Sequence, residues 1–373
     1  MKKIFFVLCF TATFTLCALA QENNPIITAV PSLSIAPDAR AGAMGDVGAA
    51  TTPDANSQYW NPSKYVFMES EAGFSLSYTP WLTKLGISDI DLAYLAGYWK
   101  FDQRQALSAS LRYFSLGDIQ LMDEFGYELN SVHPNEYAID AAYSRLLSDK
   151  LSAAITMRFI YSDLGNGSGS IDMYPGAAIA ADVSAYYKTP ITLESVDGKL
   201  AIGLNISNIG SKVSYDKKAN SSFLPTNLRL GGSFDYPIDN YNRFSVSADV
   251  NKLLVPTQNN MSDAQYNDLS PLAGIFKSFG DAPAGFSEEI SEIMWSLGAE
   301  YAYNNQFFVR GGYYNESQYK GNRKYFTAGA GFKLNVFQLD AGYVISTSQS
   351  NPLDQTLRFT LSFDLFGLKN LVQ

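Results

Sequence analysis

The chain predicts an all-β fold, a transmembrane antiparallel β-barrel of fourteen strands behind a non-alternating N-terminal segment. Three observations carry that expectation. Apolar and polar residues alternate with period two over segments of about ten residues, the length a tilted strand needs to cross a bilayer. The connections between these segments are alternately short and long. The composition, with 24 Tyr, 24 Phe and 4 Trp in a mildly hydrophilic average, suits strands with one lipid-facing side and aromatic girdles at its edges.

Residues 1–20 read as a secretory signal peptide, with Lys2 and Lys3, an apolar run through Ile4, Phe10 and Leu16, and Ala18-Leu19-Ala20 as the cleavage site. Leu16 precedes Cys17 where a lipoprotein signal would need a small residue, so lipidation is not expected. Both cysteines, Cys9 and Cys17, lie in this leader, so the chain after it can form neither a disulfide nor a thiolate metal site. The formal charge of −9 becomes −11 without Lys2 and Lys3, which argues against nucleic acid as a partner. After the leader there is no run of 18 apolar residues, which excludes a helical span, and no linker or low-complexity tract that would divide the chain.

Residues 21–71 do not alternate. Gly42, Gly45 and Gly48 interrupt a run of small residues and permit close backbone approach, as a segment folded inside a barrel mouth needs. The spacing does not fit a phosphate-binding loop, because no Gly-Lys-Ser/Thr follows. The barrel itself is expected over 72–366, with strands near 72–82, 88–101, 104–116, 135–148, 151–163, 175–188, 199–208, 226–236, 241–252, 291–304, 306–315, 323–334, 336–346 and 354–366. The pattern is cleanest where Leu151, Ala153, Ile155, Met157 and Phe159 alternate with Ser152, Thr156 and Arg158, and where Leu357, Phe359, Leu361, Phe363 and Leu365 alternate with Arg358, Thr360, Ser362 and Asp364.

A soluble sandwich would alternate too, so the connections decide. An even strand number puts both ends of the barrel on one side, taken as periplasmic together with the N-terminal segment. Inner turns then fall at 102–103, 149–150, 189–198, 237–240, 305 and 335, and outer loops include 117–134, 164–174, 209–225 and 253–290. Short inner turns and long outer loops characterise membrane barrels, and 189–198 alone departs from the trend. Beyond the last strand, 367–373 form a periplasmic tail, and Phe366 is positioned as an internal insertion signal.

The face assigned to the lumen carries Arg112, Arg158, Arg229, Arg243, Arg310 and Arg358 interspersed with Asp140, Asp182, Asp249, Glu300, Asp340 and Asp364. Mixed signs are expected to pair or to hold a plug, since a selective pore tends toward one sign. Enzyme chemistry finds little support. His133 is the single histidine, near Ser131 in an outer loop, with no third group in the sequence to orient it, and a solvated loop histidine is the better reading. No metal site, cofactor or catalytic residue is expected.

The outer loop 253–290 is longer than strand closure requires and unusually apolar. Its helix over 286–293 is expected to use Ser287 as N-cap, with Glu288 and Glu289 in the first turn. The apolar side chains either fold back as a lid or form a docking surface. The second reading makes Leu272, Ile275, Phe276, Phe279, Asp281 and Phe286 the candidate partner-binding residues.

The N-terminal segment resembles the hatch of the FadL-like outer-membrane family, which shares an Arg-x-x-x-Met-Gly stretch followed by Asn-Pro, here Arg40, Met44, Gly45, Asn61 and Pro62. The resemblance implies a plugged fourteen-stranded barrel in which Arg40, Gly42, Met44, Gly45, Asp46, Asn61 and Pro62 belong to the plug. A narrower similarity, carried by Asn24-Pro25-Ile26-Ile27, Leu224-Pro225-Thr226-Asn227-Leu228-Arg229, Asn251-Lys252-Leu253-Leu254, Gly285-Phe286-Ser287-Glu288-Glu289 and Lys324-Tyr325-Phe326-Thr327, is to the PorV family of the type IX secretion system. It implies a non-enzymatic protein surrounded by outer-membrane lipid. Such a protein would dock cargo bearing a C-terminal signal domain at the translocon barrel and pass it to sortase-like attachment-complex proteins. The alternative is a FadL-like transporter of hydrophobic small molecules.

Overall fold

A computed structural model describes residues 24–365 apart from 84–85, 88, 166–172, 194–195, 217–219, 259–260, 349–350 and 352; the expected leader 1–20 and tail 367–373 lie outside the described residues. The strands are β1 (Ala72–Pro80), β2 (Ile90–Lys100), β3 (Gln105–Leu116), β4 (Ile119–Met122), β5 (Glu128–Val132), β6 (Asn135–Ser148), β7 (Leu151–Asp163) and β8 (Gly176–Leu193). They continue as β9 (Val196–Gly210), β10 (Asn227–Pro237), β11 (Asn242–Leu253), β12 (Ile293–Tyr303), β13 (Phe307–Asn315), β14 (Lys324–Leu334), β15 (Phe337–Ser346) and β16 (Leu357–Asp364).

Fourteen of these close into an antiparallel barrel in which each strand pairs with its sequence neighbours, β6 following β3, and β1 pairs with β16 from Gly73↔Asp364 to Tyr78↔Phe359. The barrel strands match the expected ones to within a few residues. The hairpin β4–β5 was expected to be loop; it projects from the rim on the outer side.

The alternation is inside out relative to a soluble protein. On β7, Ile155 and Met157 are 59% and 58% exposed, while Thr156 between them and Ser152 in the same inward row are fully buried. Apolar rows face outward because lipid is the solvent there, and the hydroxyls and charges face a filled lumen. Aromatic side chains edge the band, with Trp295, Tyr313 and Phe326 in contact across β12–β14 toward the outer end and Phe307 against Phe332 toward the inner one.

Inner connections are short because their residues tolerate left-handed backbone. Asn304 and Asn305 sit at φ 54° and 51°, and Asn335 at φ 50°. The expected long turn at 189–198 is corrected. β8 and β9 run on and pair as far as Leu193↔Val196, so two residues separate them and the asymmetry of the connections has no exception.

The N-terminal segment does not lie in the periplasm, which corrects the expected placement. Asn24 donates its backbone N–H to Tyr319 O (3.0 Å) and Ala29 donates to Phe223 O (2.8 Å), both in outer loops. The chain then descends the lumen through α1 (Ala39–Gly42) and α2 (Ser57–Trp60) to a 3-10 turn over Pro62–Phe67, and Lys100 Nζ holds Met68 O (2.6 Å) just before β1. The segment is therefore a plug that spans the barrel from mouth to base.

Glycines in the wall admit this plug. A Cβ on Gly312 would lie 2.1 Å from Met44 C, and one on Gly203 1.9 Å from Ala49 O, whereas one on Gly232 would meet nothing within 4 Å. Gly312→Val should leave a heat-modifiable barrel but destabilise plug seating by roughly 1–3 kcal/mol. Limited proteolysis of the segment around Met44 reads this out, with Gly232→Val as the silent control. Equal protection in both variants would refute the assigned contact.

Candidate docking site on a plugged barrel

Each plug residue singled out in the sequence meets the wall. Asp38 caps α1 by accepting from Ala41 N–H (2.9 Å) and from Trp60 Nε1 (2.6 Å). Arg40, on α1, grips Glu300 of β12 side-on through Nε (3.1 Å) and Nη2 (3.2 Å), and its Nη1 reaches Asp54 (2.8 Å) and Thr52 O (3.0 Å). Glu300 is held in turn by Arg310 Nε (2.7 Å), whose Nη1 takes Asp340 (2.6 Å). The chain of charges thus ties plug, β12, β13 and β15 together.

Gly42 leaves room for the Arg358 guanidinium, which a Cβ would overlap. Gly45, at φ 71°, is pressed against Tyr313 backbone and donates to Thr327 Oγ1 (2.8 Å), so a side chain there would be both strained and blocked. Asp46 receives Arg358 Nη1 and Tyr325 OH, each at 2.5 Å. Asn61 donates to Ala49 O and Ala185 O (2.9 Å each), and its Oδ1 accepts from Ser63 N–H (3.2 Å) at the start of the turn that Pro62 opens.

Lumenal charges also pair within the wall, Arg158 with Asp140 and Asp182 at 2.9 Å each. Above the plug the lumen keeps a cavity of about 110 Å³, and below it one of about 360 Å³ that reaches the inner base beside Lys188, Lys333 and Asp364.

The outer loop 253–290 is a packed structure. α3 (Asp263–Asp268) begins at a capping box in which Ser262 Oγ takes Gln265 N–H (3.3 Å) and the Gln265 side chain takes Ser262 N–H (3.0 Å). α4 (Pro271–Lys277) is capped by Ser270, and α5 (Phe286–Ser291) starts at Gly285, φ 72°. Ser287 is therefore not the N-cap of α5, because the positive φ one residue before Phe286 lets the chain turn in earlier. Glu288 and Glu289 do occupy the first turn.

Two anchors fix the loop to its neighbours. At one end Lys212 donates to Tyr266 O (2.8 Å) and Asn267 O (3.0 Å) and lies 4.1 Å from the Phe223 ring, over which Gly274 of α4 packs. At the other, a ladder of buried charges runs from Lys252 to Glu289 (3.1 Å) and Glu292, then to Lys320, which pairs with Glu292 (3.1 Å) and Glu288 (2.5 Å). Asn24 Nδ2 closes it on Glu288 (3.1 Å), so the plug's outer end is part of the mount. Burial alone would raise the Glu288 carboxyl, but Lys320 and the Ala284 N–H hold it below its ordinary value.

The apolar side chains do not fold back as a lid. Phe276 and Phe286 are 78% and 79% exposed, and Leu272 and Phe279 also face outward, while Ile275 is half-buried beneath them. Full burial of one such side chain is worth about 1.5–3 kcal/mol, so this surface forgoes several kcal/mol in the isolated chain. Asp281 does not join it; it is buried, and its Oδ2 accepts the Thr257 N–H (2.8 Å).

A second exposed apolar group, Met122, Phe125 and Tyr127 on the β4–β5 hairpin, stands six strands away around the fourteen-strand rim. Sequence reading missed this hairpin because both its faces are wet, so it does not alternate. His133, at its base, pairs with Asp118, an acid that sequence inspection did not assign to it; both are exposed, and no hydrogen bond joins His133 to Ser131 among the described residues. Among those residues there is also no group of three His, Cys, Asp or Glu arranged to hold a metal ion.

Comparison with known proteins agrees with this architecture. A family model described as type IX secretion system protein PorV matches residues 18–260. The Pseudomonas putida toluene transporter TodX superposes with a TM-score of 0.54 at 10% identity, covering 92% of this chain and 99% of its own, which shows a shared fold. The Ralstonia pickettii toluene transporter TbuX gives 0.49 at 13% identity (87% and 97% covered), and a Pseudomonas aeruginosa FadL homologue gives 0.46 at 9% (92% and 99% covered). No curated protein matches the sequence.

Asp281 makes the loop pH-sensitive. Burial pushes its carboxyl up from 3.8 to about 6, the Thr257 N–H acts against the shift, and Glu292 and Glu289 add to it. Because the folded loop favours the protonated form, this group's contribution to stability is most favourable below pH 3.8 and falls as pH rises to 6. Asp281→Asn should therefore protect the loop backbone from hydrogen exchange better than wild type at pH 7.5 and equally at pH 4. Equal protection at both values would contradict the assignment.

Proposed function

The chain belongs to the PorV family of type IX secretion system proteins, and from that premise we propose that it is a docking component with no chemistry of its own. Its place is the outer membrane, where it receives secreted cargo at the translocon barrel and passes it to the surface attachment complex. The observation that supports this most is the exposed apolar face of α4 and α5 carried on a rigid mount. A surface of Leu272, Phe276, Phe279 and Phe286, rimmed by charged and polar residues, has the anatomy of a protein interface. The lumen supports the same reading, since Arg40–Glu300 and Arg358–Asp46 lock a plug across the path that a translocated chain would need.

The cargo's C-terminal signal domain, the translocon barrel and sortase-like attachment proteins are the proposed partners, with bilayer lipid around the strands. Phe276→Ser, Phe279→Ser and Phe286→Ser combined should leave a membrane-inserted, heat-modifiable barrel while cargo accumulates in the periplasm, measured by fractionation and immunoblotting. Normal secretion would sink the assignment of this face. His133→Ala should leave secretion unchanged, and a loss would revive a role for the Asp118–His133 pair.

Transport of hydrophobic small molecules is the second reading, supported by the cavities on either side of the plug. Normal cargo secretion in a null strain, together with lost uptake of an apolar solute, would favour it over docking.

A further inference from the structure

The cavity above the plug holds two buried guanidinium groups with no carboxylate partner. Arg40, Arg158, Arg243, Arg310, Arg323 and Arg358 each have an aspartate or glutamate within 4 Å. Arg112 and Arg229 do not, among the described residues. Both line the cavity and are more than nine-tenths buried, at 4% and 8% exposure.

Arg112 donates to two plug carbonyls, Ser32 O and Ile35 O, and Arg229 donates Nε to the side-chain oxygen of Asn251 (2.9 Å). The terminal amino groups of Arg229, Nη1 and Nη2, have no hydrogen-bond partner among the described residues. Both guanidinium groups lie over Tyr59 of the plug, and the distances of 4.9 and 5.3 Å to that ring put their Cζ atoms within about 10 Å of each other. Trp60 supports Arg229 from the same side, 4.6 Å away.

Most acids nearby are engaged, although among the described residues Glu136 Oε2 and Asp249 Oδ1 are buried without a hydrogen-bond partner and lie beyond ion-pair distance of either arginine. Asp46 receives Arg358 and Tyr325, Asp140 receives Arg158, Ser110 and Gln58, and Asp249 Oδ2 accepts the Gly48 and Ala49 N–H groups at 2.8 and 2.9 Å. A buried cation without a direct ion pair is costly, and arginine cannot shed its proton. Two of them at one cavity, one with a free pair of amino groups, form a receptor for an oxyanion that the flat guanidinium can hold in a bidentate manner.

We propose that the outer lumenal cavity binds an oxyanion of phosphate size, held by the Nη1 and Nη2 groups of Arg229 with the charge of Arg112 beside it. The cavity volume of about 110 Å³ admits the anionic group. The anion comes either as a free solute or as a phosphate headgroup whose lipid tail leaves through the outer mouth. Its binding fixes the plug's Tyr59–Trp60 turn against β10, so the site stabilises the closed barrel.

The full-length protein in a non-ionic detergent, exchanged into phosphate-free buffer, is titrated with inorganic phosphate and separately with dihexanoyl phosphatidate while its thermal midpoint is followed. A rise of a few degrees at 10 mM of either supports the site. Phosphate activity assigns it to a free anion, and activity of the phosphatidate alone assigns it to a lipid headgroup. Arg229→Gln should weaken binding at least about tenfold. Because that variant could disturb the plug, Arg229→Lys, which keeps the charge and loses the paired donors, provides the second reading and should bind several-fold more weakly while remaining heat-modifiable. No shift with either probe, or equal shifts in wild type and both variants, overturns the proposal.

Discussion

Closure of the sheet is the constraint on which everything else here depends. Hydrocarbon offers no hydrogen-bond partner, so every N–H and C=O within the bilayer must find one in the chain, and an open edge there is excluded. The pairing of β1 with β16 meets that demand. At fourteen strands the ring is wider than side chains alone can fill, because barrel diameter grows with strand number. The interior therefore needs an insert, and the N-terminal segment supplies it. Glycines at 203, 298 and 312 then follow as places where the wall must yield to backbone.

Polarity is distributed accordingly. Lipid takes the apolar rows, so the polar side chains are left to organise the interior, and they do so around the plug. Buried ion pairs such as Arg40–Glu300 and Arg310–Asp340 contribute little net stability, since the desolvation of both charges offsets their attraction. Their geometry is specific, however. Arg40 and Glu300 would both be stranded if the plug slid by one residue, so that pair fixes the register of plug against wall. The same logic orders the rim, where Lys252, Lys320, Glu288, Glu289 and Glu292 set the pose of α5 and leave its apolar side chains facing outward.

How much of this was legible in sequence depended on how uniform the solvent was. Strands such as β7 and β16 were readable because lipid imposes one rule on every second residue. Where that solvent ends the rule lapses. β8 runs on past Lys188 through Pro190, a residue with no N–H for the ladder that reads as a turn, and the hairpin at 119–132 is wet on both faces, so neither could be drawn correctly. The plug residues were visible as a motif, but their partners were not, because Arg40 and Glu300 are 260 positions apart. Likewise the apolar residues of 253–290 could be named, whereas the burial of Asp281 and the start of α5 at Gly285 depend on contacts with Thr257 and on a local φ that composition does not encode.

The position of Asn24 bears on how such a molecule is put together. A segment that runs from Asn24 at the outer mouth down the interior and only then enters the first strand cannot be inserted into a finished cylinder without threading. The strap has to be in place while the sheet is still open, and the sheet wraps around it. The seam between the first and last strands joins residues almost 300 positions apart, the kind of contact that loop entropy defers. Closing it last makes the seam a record of assembly, since it can seal only around a strap already seated.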